Sequence, residues 1–263
     1  MGSGLGSELR HFRRWDNTAW QTLPQAGLSS VRAELEGNVG QPYYWRLDLA
    51  NRPVQPDVSL EIVSVPPTQG CARASYIHVN LPVSTTPRTL LDMTTALADR
   101  LPFWAGTAGF LFNPVESEWQ PAFDQIWAWS RRYWAVEVAD TRAGTWDVLR
   151  GLLNINWLTL LGRNLIEALS AQERPVRLEH TPAGVRVHET KGGVMVQAGP
   201  TPLLGDLNRF EDWSDYSEAA RVLEPALVTE PTPFAGMFAD HQSTCPWTRR
   251  FLAPNAWLDP DRP

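Results

Sequence analysis

The sequence predicts an α+β fold of mixed, largely antiparallel sheets with packed helices, and it leaves room for two similar α/β halves. Three observations carry this. Helical and strand-like segments mix without a regular βαβ alternation, which argues against a doubly wound parallel sheet. Short alternating apolar runs between 176 and 198 are parted by turn residues. Helices in both halves carry capping signals and precede an apolar strand.

Taken in order, residues 1 to 14 read as a flexible lead, 15 to 240 as the folded body, and 241 to 263 as a Pro-rich tail. From Trp15 to Val65 the pattern is strand-like with loops, including Tyr43 to Leu49 and Val58 to Val65. Tyr76 to Val83 is another expected strand. Thr86 caps a helix with Pro87 at its first position. Leu90, Met93, Leu97 and Leu101 form its apolar stripe. Ala105 to Phe112 reads as a buried strand. Ser117 and Gln120 match a capping box, with Trp119, Ala122, Ile126 and Trp129 on the inward face behind them and Trp127 off it. Tyr133 to Val138 is a compact strand, and 141 to 150 a turn with room for one helical turn. An apolar run from Asn154 to Gly162 precedes a short helix. Val176 to His180, Val185 to Glu189 and Val194 to Ala198 follow as strands, the last two joined by Lys191-Gly-Gly193. Ser214 opens a last helix whose inward face is Tyr216, Ala219, Ala220 and Leu223.

A chain of 263 residues with 43% apolar content suits one large domain or two closely packed halves. A formal charge of −6 disfavours nucleic acid as a partner and suits a basic protein instead. Lys191 is the only lysine, and there are 13 tryptophans. A GC-rich genome is the plainer explanation of this usage, and a recognition surface rich in Arg and Trp is the alternative. Cys71 and Cys245 fit no metal spacing; free thiols are expected, and pairing stays open. No signal peptide is apparent, and no run approaches the ~20 apolar residues of a membrane span. The chain reads as cytoplasmic, without a membrane partner.

A search for catalytic groups finds no nucleophile elbow, no P-loop and no dinucleotide fingerprint. His180 and His188 flank a turn and could approach each other, with Glu189 or Asp206 completing a metal site. Two solvated strand histidines are the plainer reading. Glu116 and Glu118 stand where acidic side chains favour a helix start. The densest acidic cluster is Asp206, Glu211, Asp212, Asp215 and Glu218, interleaved with Trp213 and Tyr216. It reads as a solvated helix start or as an acidic recognition patch with aromatic anchors. No catalytic, metal or cofactor site is assigned.

Three stretches bear a family resemblance: Asn156-Trp157-Leu-Thr-Leu-Leu-Gly162 behind the strand 133 to 138; Val196-Gln-Ala-Gly199-Pro200-Thr-Pro-Leu-Leu-Gly205-Asp206-Leu-Asn208; and Tyr216 to Pro225. Together they resemble the type VI immunity family. The motif residues also read as builders of the backbone: Asn156 and Thr159 satisfying groups around a buried Trp157, Gly162 in a tight turn, the Gly and Pro of 199 to 205 fixing a loop path. The resemblance implies an immunity protein that neutralises a cognate type VI effector by stoichiometric occlusion, with no cofactor. It implies a toxin acting in the cytoplasm, with a nuclease of basic cleft as one candidate. The expected contact residues are Glu211, Asp212, Trp213, Asp215 and Trp127. An uncharacterised metal-dependent enzyme using His180 or His188 with Asp206, and a secretion-system adaptor, are the alternatives.

Overall fold

The computed structural model describes residues 8–24, 28–38, 43–66, 73–114, 119–138 and 140–258. Cys71, Glu116, Ser117 and Glu118 lie outside the described residues, as do the side chains of Trp119 and Gln120. The fold is α+β, as the sequence predicts. The chain divides into two compact units, residues 1–85 and 86–263.

Among the described residues the first unit is a five-stranded antiparallel sheet with one helix. Its elements are β1 (His11–Arg14), β2 (Asn17–Thr22), α1 (Leu28–Asn38), β3 (Trp45–Ala50), β4 (Ser59–Ser64) and β5 (Tyr76–Asn80). The strand order is β2-β1-β3-β4-β5. Period-two alternation sets the two faces of β3. Trp45, Leu47 and Leu49 join Leu9, Val31 and Val58 in a core. Arg46 and Asp48 point the other way. Asp48 accepts from Arg13 of β1 at 2.7 Å and from Arg46 at 3.0 Å, and Arg46 also meets Glu61 of β4 at 3.1 Å. Opposite charges facing across neighbouring strands support the register. The expected flexible lead thus contains β1, held between two strands because its backbone groups pair on both sides. Helix α1 stands where the sequence predicts strand and loop, because it lacks a strong apolar stripe.

The second unit holds a four-stranded antiparallel sheet of order β10-β11-β9-β6. The strands are β6 (Ala105–Ala108), β9 (Leu158–Gly162), β10 (Val185–Thr190) and β11 (Gly193–Ala198). A parallel pair, β7 (Leu111–Phe112) and β8 (Glu137–Val138), lies apart from it. The helices are α2 (Pro87–Ala98), α3 (Trp119–Ser130), α4 (Thr141–Asp147), α5 (Arg163–Ala171), α6 (Ser214–Leu223), α7 (His241–Thr248) and α8 (Pro254–Leu258). In each unit an early strand pairs antiparallel with the strand that follows a helical crossover: β1 with β3, β6 with β9. The units differ after that point, in a β3-β4-β5 meander against a β10-β11 hairpin.

Several expected elements shift. Thr86 caps α2 through Thr89 N (3.1 Å), but Thr94 and Ala98 are buried while Leu97 and Leu101 are exposed. The inward face is Leu90, Leu91, Thr94 and Ala98, because Thr94 Oγ1 donates to the Leu90 carbonyl and needs no water. On α3, Phe123, Ile126 and Ser130 are buried and Trp127 is half-buried, whereas Trp129 is 52% exposed. Trp127 meets Phe238 and Trp257, each at 4.9 Å edge to face. The reading that put Trp129 inside and Trp127 outside is corrected by the segment that covers this face. That segment is the supposed tail. Trp247 and Trp257 are fully buried, and Trp257 Nε1 donates to Ser130 O at 3.3 Å. Arg250 is buried too, its Nε donating to Trp134 O (2.6 Å) and its guanidinium stacked over Trp247. Burial pushes that guanidinium down to about 9, so it is still charged at neutral pH. Among the described residues no helix is long and apolar enough to cross a membrane.

Candidate functional site

The site is the loop and turn that link β11 to α6. Its base is built from the motif residues. Trp157 is buried and donates from Nε1 to Gly199 O at 3.1 Å. Asn156 Oδ1 accepts from Trp157 N (2.7 Å), and its Nδ2 donates to Glu137 (2.7 Å). Thr159 Oγ1 donates to Asn156 O and accepts from Asn156 N, each at 3.2 Å. Gly162 serves close approach rather than a tight turn: its backbone is extended, and an added Cβ would lie 1.9 Å from Phe103 O. From Gly199 (φ +76°) the chain runs through Pro200 to Gly205. Tyr216 Oη accepts from Leu203 N at 3.2 Å, and burial raises this phenol above its ordinary range. Gly205 is left-handed (φ +66°) and abuts Ala135, so a side chain there would meet both strain and backbone.

Asp206 is the centre of the brace. It is 2% exposed and takes both arms of Arg132, Nε at 2.8 Å and Nη2 at 2.7 Å. It also caps the 3-10 turn Leu207–Arg209 by accepting from Asn208 N at 3.0 Å. The bonded Arg132 guanidinium holds this carboxyl below the usual carboxylate range, against the opposing effect of burial. Glu211 folds back and accepts from Gly205 N (2.9 Å) and Asp206 N (3.2 Å). Of the expected contact residues, Glu211 is therefore engaged inside the loop. Asn208 itself is exposed.

What the turn displays differs from what braces it. Phe210, next to Glu211, is 92% exposed and left-handed (φ +52°, ψ +38°). For a residue with a Cβ that conformation costs about 1–2 kcal/mol. Sequence reading missed it, because its exposure follows from how the turn ends. Asp212 is exposed and accepts from Ser214 N at 2.9 Å, a bond that lowers its pKa. Trp213 is half-buried against Trp134 (5.1 Å) and Phe251 (6.0 Å). Asp215 is half-buried beside Gly184 and Gly199. A shallow, open depression of about 260 Å³ lies here, lined by Glu211, Asp212, Trp213, Ser217, Glu218 and Arg221. Trp127, the fifth expected contact, packs in the α3–α8 aromatic cluster.

The residues of the metal-enzyme alternative are not gathered. His180 is exposed before β10, His188 bonds Gln197 Oε1 at 2.8 Å, and Asp206 is taken by Arg132. Among the described residues no group of three His, Cys, Asp or Glu could hold a metal ion. Cys245 Sγ contacts Thr229 O at 3.6 Å.

The fold is similar to that of the Pseudomonas aeruginosa T6SS protein PA0821, with a TM-score of 0.72 and 16% identity. The similarity covers 96% of this chain and 77% of that chain. No curated protein matches the sequence. The sequence family described as "Type VI immunity for VRR-NUC" matches residues 4–251, which includes β1 and α7. The match bears out the resemblance carried by the three motif stretches, and the chain belongs to the TsiV family of type VI immunity proteins for VRR-NUC.

Proposed function

We propose that this immunity protein acts as a one-to-one stopper of a cognate VRR-NUC effector, occupying the nuclease's active site and performing no chemistry of its own. The carrying observation is the braced acidic turn: Arg132, Asp206 and Glu211 fix the backbone, and Asp212 with Glu218 stands at the surface beside it. A nuclease must present basic groups to a polyanionic substrate. A net charge of −6 with carboxylates on a preformed turn favours encounter with such a surface. Binding geometry, not turnover, is what this arrangement offers. A standard interface of about 1,600 Å² would extend well beyond the turn, with a few anchors dominating.

The reading places the encounter in the cytoplasm, where a nuclease reaches its substrate, and it requires no cofactor, nucleic acid or membrane. Asp212, Trp213 and Asp215 remain the proposed contacts of the earlier set, with Glu211 and Trp127 in supporting positions. The test is co-expression of the chain with the VRR-NUC effector. The expected result is rescued growth and a stable complex that survives purification. Growth arrest together with separate elution of the two proteins would overturn the proposal.

A further inference from the structure

A single exposed apolar side chain is ordinary on a protein surface and argues nothing by itself. Phe210 is different in how it is held. Its ring is 92% exposed, so it buries nothing within the chain. Its backbone is left-handed, a conformation that Gly or Asn would adopt with less strain. Yet the turn that imposes it is fastened throughout. Phe210 N donates to Leu207 O at 3.2 Å, Arg209 N to Asp206 O at 3.0 Å, and Glu211 N to Asp206 O at 3.3 Å. The Asp206 carboxylate below is locked by Arg132, and the Glu211 carboxylate ties the loop from the other side. Other exposed rings are less free: Trp129 stacks on Phe112 at 6.1 Å, and Trp15 leans on Tyr43 at 6.2 Å.

We infer that Phe210 is the chief apolar anchor of this protein for its VRR-NUC effector, a ring held out in advance for insertion into an apolar recess bordered by basic groups. The inference rests on the binding reading given under Proposed function. A strained backbone persists only where its surroundings over-determine it, and such positions cluster at binding sites. Here the strain holds an aromatic ring in the solvent, where it lowers the ordering cost of association rather than stabilising the fold. The neighbouring charge favours the same partner. Asp212 follows on the turn and Glu218 stands on α6, while the exposed Arg209 has its charge partly balanced by Asp206 at 3.6 Å. Aromatic residues are enriched at interfaces, and binding energy concentrates in a few side chains that fill desolvated pockets near the centre of the contact.

The experiment measures association of the full chain with the purified VRR-NUC effector for the unaltered protein, Phe210→Ala, Phe210→Asn and Phe210→Tyr, alongside thermal unfolding of each. Asn tolerates the left-handed turn, so Phe210→Asn is expected to unfold no earlier than the unaltered chain. Both Ala and Asn are expected to weaken binding by about 30-fold or more, mainly through faster dissociation. Tyr keeps the ring and is expected to stay within about threefold. Binding that Ala and Asn leave within about threefold overturns the anchor while leaving the binding reading intact. Absence of binding by the unaltered chain overturns both. Self-association that Phe210→Asn abolishes, with effector affinity unchanged, also overturns the anchor, since the ring would then serve a second copy of the chain.

Discussion

Asp206 shows how one side chain can organise a surface without belonging to it. A buried carboxylate is costly unless its oxygens find donors, and Arg132 with the Asn208 amide supplies them. The pair is bidentate, which fixes direction as well as distance. Because the folded carboxyl sits below its ordinary pKa, its contribution is present at neutral pH. It is lost as pH falls through the unfolded value, about 3.9, toward the folded one. Asp206→Asn is therefore expected to lower the urea midpoint at pH 7, with the gap from the unaltered protein closing as the pH is taken below about 4. Urea titrations at pH 7, 5 and 3 check this. Gly205 makes the second residue-scale prediction. Gly205→Ala places a Cβ 2.6 Å from Ala135 N at positive φ and should destabilise by about 2–3 kcal/mol in chemical denaturation. Turn chemistry at Asp206 and Asn208 was readable in the sequence, because Asp accepting from an amide two residues on is a local pattern. The display of Phe210 was not, since it depends on Arg132, 74 residues from Asp206.

Among elements, the legible ones carry their own signals. The β10–β11 hairpin shows its Gly-Gly turn and alternating apolar residues, and α2 shows its Thr86–Pro87 start. The illegible ones depend on distant partners. Helix α3 offers two plausible apolar faces, and only α8 and the 3-10 turn Gly236–Phe238 decide between them by covering Trp127. The C-terminal helices were hidden because Pro246 and Pro254 read as breakers, although Pro254 stands at a first helical position, where proline is favoured. Trp127→Ala is expected to cost about 3 kcal/mol of stability and Trp129→Ala less than about 1 kcal/mol. Comparing the two by equilibrium denaturation tests the corrected face directly. Removing residues 241–263 strips Trp247 and Trp257 from the core of the second unit, so the truncated chain is expected to lose that unit's cooperative unfolding transition, as read by calorimetry.

At the scale of the molecule, two units each enclose a core of their own. The motif stretches and the acidic turn both lie in the second unit. Residues 86–263 alone are therefore expected to unfold cooperatively, with near-ultraviolet circular dichroism from the tryptophan cluster intact. The α+β class was readable from pattern alone, and the family from three stretches that prove to shape backbone. The surface that meets a partner left a fainter trace, a cluster of acids, because complementarity to another protein obeys no local periodicity. The most direct measurement is titration of the purified VRR-NUC effector's nuclease activity with the purified chain at concentrations well above the dissociation constant. Stoichiometric occlusion predicts a linear fall that reaches zero at one equivalent and recovers when the complex is separated. Loss of activity at a small fraction of an equivalent, or persistence of activity in the saturated complex, would contradict it.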